Sequence, residues 1–196
     1  KRQMSDWADQ CHDQGGTVII PHLPNPNGEP AALIATGRAD AVEMLRHGMY
    51  NHLEYYRYLP GGYTLPLVGG TDKMSASSQL GGIRTYAHIG DEEFSYDNWM
   101  QAVRRGNTFV TVGPLIDIAV EGLVPGSTLE MVSNCTINVT WKVASVSLPI
   151  DQVEVIAGGL IADSASFDKP GRWYVQRQII GQGIFFYYRK TGWIYK

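Results

Sequence analysis

One stretch limits what this chain can fold into more than any other: Leu65-Pro66-Leu67-Val68-Gly69-Gly70-Thr71-Asp72-Lys73-Met74-Ser75. An apolar run of strand length ends in two glycines and then a carboxylate. In an α/β protein that order predicts a buried parallel strand with Asp72 just past its C-terminal end, where active-site rims are built. A second run of the same build precedes it. Thr17-Val18-Ile19-Ile20-Pro21 is too short and too apolar for a helix, and it ends on the imidazole of His22. The two prolines flanking that histidine, Pro21 and Pro24, fix the backbone around it.

The segments between these runs read as helices. Met4, Trp7, Ala8 and Cys11 recur at helical spacing, and Gly15-Gly16 stop the pattern. A short helix is expected from about Pro30 to Thr36, then a strand-like piece, Ala41-Val42-Glu43-Met44-Leu45, with Glu43 set among apolar neighbours. A tyrosine-rich helical segment runs from Asn51 to Leu59. Beyond Asp72, Gly82 to His88 reads as a short strand. Ser95 is a good N-cap for a helix that buries Trp99, Ala102 and Val103. Arg104 and Arg105 in its last turn suit the helix dipole.

After Gly113 the rhythm changes from mixed to all-β. Leu115 to Val120, Thr136 to Val143, Val153 to Ala157 and Trp173 to Ile180 read as strands separated by Pro- and Gly-rich turns. Within the second, Ile137, Val139, Trp141 and Val143 alternate. The expectation is two units: residues 1–113, and a small antiparallel, sandwich-like β domain over residues 114–196, whose end (Gly183 to Lys196) supplies a last strand or the stump of a longer domain. Trp141, Trp173 and Trp193 are read as core of that domain and not as a sugar platform.

Composition narrows the function classes. With 44% hydrophobic and 18% charged residues, the 196-residue chain is an ordinary folded protein, and its net charge of −3 gives no reason to expect nucleic acid or an anionic membrane as partner. The longest apolar runs fall far short of a membrane span. Cys11 and Cys135 read as buried free thiols in preference to a disulfide. No His-Glu-x-x-His, phosphate loop or Gly-x-Ser-x-Gly elbow is present, and Ser75, Ser77 and Ser78 have no identifiable base. His22 and Asp72 together suit a divalent metal, since Zn, Mn and Fe all accept imidazole and carboxylate. Spacing alone leaves open that the histidine is structural and the aspartate caps a turn.

Three motifs in order carry a resemblance. Gly15-Gly16-Thr17-Val18-Ile19-Ile20-Pro21-His22, then Asp40-Ala41-Val42-Glu43, then Pro66-Leu67-Val68-Gly69-Gly70-Thr71-Asp72 are similar to the later part of PHP-type metal-dependent hydrolases, in particular the carbaryl-hydrolase-like branch. The likeness runs from about Asp6 to Gly126. It implies an α/β fold: the C-terminal part of a PHP-like distorted (β/α)7 barrel, followed by the small antiparallel β domain. It implies His22, Asp72 and Glu43 as metal ligands, with Zn, Mn or Fe as the divalent metal, absent if the fragment is incomplete. Asp72 would also orient or deprotonate the metal-activated water, and Arg84 or His88 would steady an oxyanion or leaving group. The reaction implied is hydrolysis of a phosphoester, ester or carbamate of a small-molecule substrate. The alternative is a non-catalytic relative used as a scaffold or binding protein.

Two departures bear on this. The family opens on a His-x-His and further ligands, none of which precedes Lys1, so the chain reads as a piece of a longer protein. The family also carries a histidine two residues after the aspartate, where this chain has Met74, and Lys73 adds positive charge beside the site. Half a parallel barrel leaves open strand edges, so a homo-oligomer or the missing barrel half is expected to cover them.

Overall fold

The computed structural model describes residues 2–23, 29–46, 49–50, 52–130, 135–146, 150–166, 172–181 and 187–191. Helix α1 (Met4–Asp13) leads through Gly15 and Gly16 into β1 (Ile19–Ile20). The turn needs glycine at position 16. A Cβ there would lie 2.5 Å from Cys11 Sγ and 2.9 Å from the Cys11 carbonyl oxygen, closer than any side chain tolerates. Helix α2 (Pro30–Ala35) follows, with proline at its first position, and then β2 (Ala41–Arg46). β3 (Met49–Tyr50) folds back on β2, and α3 (His52–Tyr58) with a short 3-10 turn, Leu59–Gly61, crosses to β4 (Leu67–Gly70).

β2 is the centre of the resulting sheet. β1 runs parallel on one side (Ile19↔Ala41, Ile20↔Val42) and β4 parallel on the other (Val42↔Leu67 through Arg46↔Gly70). Successive β2 side chains serve opposite faces. Val42 and Met44 join Ile20, Leu33, Tyr55 and Tyr56 in one core, whereas Ala41 joins Val68 and Val103 under Trp99 in another. Both faces are thus covered, which is why these strands read as apolar runs. The second face is covered by α4 (Tyr96–Arg104). Ser95 Oγ accepts the Asn98 amide at 3.1 Å, the expected cap, and Arg104 ties the helix end to Thr17 Oγ1 at 2.8 Å and the Gly15 carbonyl at 2.7 Å.

The outer edge of β4 meets the antiparallel pair β5 (Arg84–Ala87) and β6 (Thr108–Thr111). Hydroxyls close this seam. Thr85 Oγ1 accepts from the Gly69 amide at 2.9 Å and donates to the Gly69 carbonyl at 2.8 Å, and Thr108 Oγ1 donates to the Leu67 carbonyl at 2.8 Å. At the opposite end of the sheet Asp40 Oδ2 accepts from the Val18 amide at 2.6 Å and lies 2.9 Å from His12 Nε2. Nearby, Arg38 grips Asp9 with two hydrogen bonds, which hold that carboxyl below its ordinary pKa.

The C-terminal half is the expected pair of antiparallel sheets. β7 (Leu115–Val120), β8 (Cys135–Ala144) and β11 (Arg172–Gly181) form one, in the order β11-β8-β7. β9 (Gln152–Ala157), β10 (Leu160–Ser166) and β12 (Tyr187–Thr191) form the other, in the order β10-β9-β12. The alternating Val139, Trp141 and Val143 of β8 pack on Ile150, Val153 and Val155. Trp141 is therefore core, as expected. The side chain of Trp173, and Trp193 altogether, lie outside the described residues.

Three differences from the sequence reading are physical. Among the described residues three parallel strands and the antiparallel β3 form an open four-stranded sheet and no closed barrel; β1 pairs with β2 alone. The apolar stripe of α1 is not a packed face: Ala8 is buried, but Met4 is 46% and Trp7 60% exposed, with the Arg2 guanidinium 5.6 Å from the Trp7 ring. Cys11 is free and half-buried. The two halves also share a core. Ile156 of β9 packs with Tyr55 and Tyr56 of α3, and a Cβ at Gly159 would stand 2.6 Å from the Tyr56 carbonyl oxygen. No helix among the described residues is long and apolar enough to cross a membrane.

Candidate metal centre

The parallel strands deliver His22, Glu43 and Asp72 to the same end of the sheet, from β1, β2 and β4 respectively. Among the described residues three non-glycines have positive φ, and two of them are His22 (54°) and Asp72 (52°). The third, Glu121, sits in the turn after β7, where such a conformation is ordinary. For a side-chain-bearing residue the left-handed region costs about 1 kcal/mol, less for Asp, and such residues gather where a structure re-aims a side chain. Both residues just past these strand ends thus leave the extended backbone of the strand.

Glu43 is the hub. Its Oε2 accepts the His22 backbone amide at 2.9 Å, and its carbonyl accepts the Leu23 amide at 3.0 Å, fixing the bend after β1 from two sides. The register between β2 and β4 shifts between Glu43 and Leu45, the kind of irregularity that redirects side chains at sheet ends. The Glu43 carboxylate lies beside Gly70, in ordinary van der Waals range of where a Cβ would stand, 3.8 Å from Oε1. His22 Nε2 then stands 3.6 Å from Glu43 Oε2 and 3.7 Å from Asp72 Oδ2. The imidazole is 39% exposed and the two carboxylates are more covered, so the cluster opens to solvent on the histidine side.

The donors are of the right kind for Zn, Mn or Fe, and tetrahedral ligands at zinc distances stand about 3.4 Å apart, close to these separations. As a set they stop short of a coordination shell. Among the described residues no group of three or more His, Cys, Asp or Glu is placed so that it could hold a metal ion. The pairwise separations show that the side chains converge; the group geometry shows that convergence is not yet coordination, and the latter is the stricter test.

Arg84 and His88 are not brought to this cluster. Thr85 turns toward β4, so Arg84 and Tyr86 occupy the opposite, exposed face of β5. There the Arg84 guanidinium lies 5.9 Å from the Tyr86 ring, which stacks on Phe109 at 4.9 Å. Ala87 pairs with Thr108, whose hydroxyl bonds Leu67 at the start of β4. His88 therefore sits beside the far end of that strand from Asp72. Lys73 does not direct its charge at Asp72 either. Its Nζ donates to the carbonyls of Ser75 (2.7 Å) and Ser78 (2.5 Å) in its own loop. Met74 is 85% exposed.

Sequence reasoning passed over Thr71 and Thr85. Thr71 Oγ1 donates to the Ile83 carbonyl at 3.3 Å and so holds the residue before Asp72 to the start of β5. The signal was present in the alternation Arg84, Thr85, Tyr86, which turns the small hydroxyl inward between two long exposed side chains.

No family model matches the chain, and no curated protein matches it. It is similar to the crystal structure of a two-domain protein containing a predicted PHP-like metal-dependent phosphoesterase from Bacteroides vulgatus ATCC 8482, with a TM-score of 0.45 and 13% identity. That alignment covers 94% of this chain and 59% of the other, so the chain spans little more than half of that protein's length.

Proposed function

We propose that this chain carries part of the catalytic centre of a PHP-type metal-dependent hydrolase acting on a phosphoester, ester or carbamate of a small molecule, the carbaryl-hydrolase-like branch being the nearest in motif. The observation that carries the reading is the approach of Glu43 and Asp72 to the His22 imidazole, with His22 and Asp72 both in left-handed backbone just past the ends of parallel strands. In this reading His22 and Asp72 hold a divalent Zn, Mn or Fe ion, and Glu43 adds a third donor while locking the His22 backbone. The remaining donors come from outside the described residues. A bound divalent metal supplies Lewis acidity and a water acidic enough to ionise near neutral pH. In this reading Asp72, half-buried beside His22, would both hold the metal and serve as the neighbouring carboxylate base. Arg84 and His88 stand outside the metal-holding set. The open edge of β1 takes a further strand from a second copy or from chain beyond this sequence.

Elemental analysis for Zn, Mn and Fe tests this on native protein and on His22→Ala and Asp72→Ala. The expected result is one of these metals in the native protein and its loss, at least tenfold, in both variants, because each removes a direct ligand. Native protein without metal, purified under conditions that do not strip it, would sink the reading.

A second reading, a non-catalytic scaffold of the same fold, is favoured by one observation: the described donors form no group that could hold an ion. It predicts no metal in any of the three proteins and unchanged folding in both variants.

A further inference from the structure

The strand that carries His22 to the rim is poorly specified by its own ladder. β1 is two residues long, and among the described residues β2 is its one partner. Side-chain pattern does not fix its register either. A slip of one residue would put Ile19 where the buried Ile20 stands, isoleucine for isoleucine, and would bring Pro21 to the rim in place of His22.

Two carboxylates on the neighbouring strand supply what the ladder lacks. Asp40, just before β2, takes both backbone groups of Val18. Its amide donates to the Val18 carbonyl at 2.9 Å, and its Oδ2 accepts the Val18 amide at 2.6 Å. Four residues further along β1, Glu43 Oε2 accepts the His22 amide at 2.9 Å. The two grips hold the strand at both ends, and together they admit one register. Asp40 is itself held, because His12 Nε2 of α1 lies 2.9 Å from the same Oδ2 and the carboxylate is only 24% exposed. Arg104 steadies the turn ahead of the strand through Thr17 Oγ1 and the Gly15 carbonyl.

We propose that Asp40 is a positioning residue for His22: it sets the register of β1 on β2 and so decides which side chain leaves the strand at the rim. Asp40 lies at the opposite end of the sheet from the His22, Glu43 and Asp72 cluster and acts on it only through the strand. Its consequence for metal holding rests on the hydrolase reading; the register does not.

Amide hydrogen exchange on metal-stripped native protein, Asp40→Asn and Asp40→Ala tests this. The Val18 amide loses its acceptor in the alanine variant whatever the role of Asp40, so the deciding amide is that of His22, whose own bond to Glu43 is untouched. Its exchange should quicken about tenfold or more in Asp40→Ala, as β1 opens locally. Asparagine keeps an acceptor of the same reach without the charge and should recover part of this, leaving about a threefold rise. The Gly69 amide, held by Thr85 on the far side of β2, should not change. His22 exchange that is unchanged in Asp40→Ala, or that rises no more than at Gly69, overturns the proposal. Should the alanine variant fail to fold, a faster Val18 with an unchanged His22 in Asp40→Asn overturns it equally. On the hydrolase reading, zinc affinity per folded molecule should fall about tenfold in Asp40→Ala, with partial recovery in Asp40→Asn. A native protein that never holds metal but shows the graded His22 exchange sinks the hydrolase reading and leaves Asp40 in its role. Metal in the native protein with unchanged His22 exchange does the reverse.

Discussion

The two halves of this molecule satisfy their backbones in different ways. In the C-terminal half, β8 pairs along all ten of its residues with β11 and along six with β7, and its inward side chains are apolar. In the N-terminal half the strands are two to six residues long, and side chains finish what the ladders do not. Thr85 and Thr108 close the edge of β4, Asp40 holds Val18, and Glu43 holds His22. Ladder-built structure loses stability mainly through its core. Structure held by side-chain hydrogen bonds loses it through single polar atoms, and its strand ends stay free to be bent into a site.

The largest expected effect lies in the ladder-built half. Trp141 is 3% exposed between the two sheets, so Trp141→Ala should cost about 3–5 kcal/mol through the cavity it leaves. A denaturant midpoint read by far-UV circular dichroism measures this. Among the described residues the core cluster that holds Trp141 contains none of His22, Glu43 and Asp72, so on the proposed function metal content per folded molecule should not change. A loss of metal in the folded fraction would show that the halves are one cooperative unit and break the contrast.

Thr85→Val tests the other side. Valine keeps the shape but leaves the Gly69 amide and carbonyl without partners, which should cost about 1–3 kcal/mol. Thr85→Ser keeps the hydroxyl and should stay within about 0.5 kcal/mol of the native protein. If valine proves as harmless as serine, the seam is not what holds β4, and the rim is stabilised by packing like the rest.

The same contrast explains what could be read from the residues in advance. The C-terminal strands were legible because alternation such as Ile137, Val139, Trp141, Val143 is a direct image of a two-sided ladder. β10 was not, since Leu160 and Ile161 are exposed and Ser164 and Ser166 give no apolar rhythm. In the N-terminal half the apolar runs ending in His22 and Asp72 marked the rim, and Glu43 stood out as a carboxylate inside a strand. The placement of Arg84 and His88 was not legible. Following Asp72 in sequence suggested nearness, but β5 turns one side chain to the far face and carries the other to the far end of β4. Chain order gives proximity only where the strand direction is known.

The smallest expected effect is the most pointed, because its size separates a site from a scaffold. Asp72 holds a left-handed conformation that glycine adopts freely, and its carboxylate stands 3.7 Å from His22 Nε2. Half-exposed pairs of that kind contribute about 0–1 kcal/mol. Relief of the backbone strain is about 1 kcal/mol, offset by the greater freedom of glycine in the unfolded chain. On the proposed function, Asp72→Gly should therefore change stability by no more than about 1 kcal/mol while removing a metal ligand. Asp72→Asn, which tolerates the same backbone, should do the same. Denaturation midpoints and elemental analysis on the same samples give both readings. A residue that the fold can spare and a ligand cannot has a functional reason to be there. If glycine destabilises the fold by more than this, the Asp72 carboxylate is holding the rim together, and the left-handed strand ends of this half are structural turns like the one at Glu121.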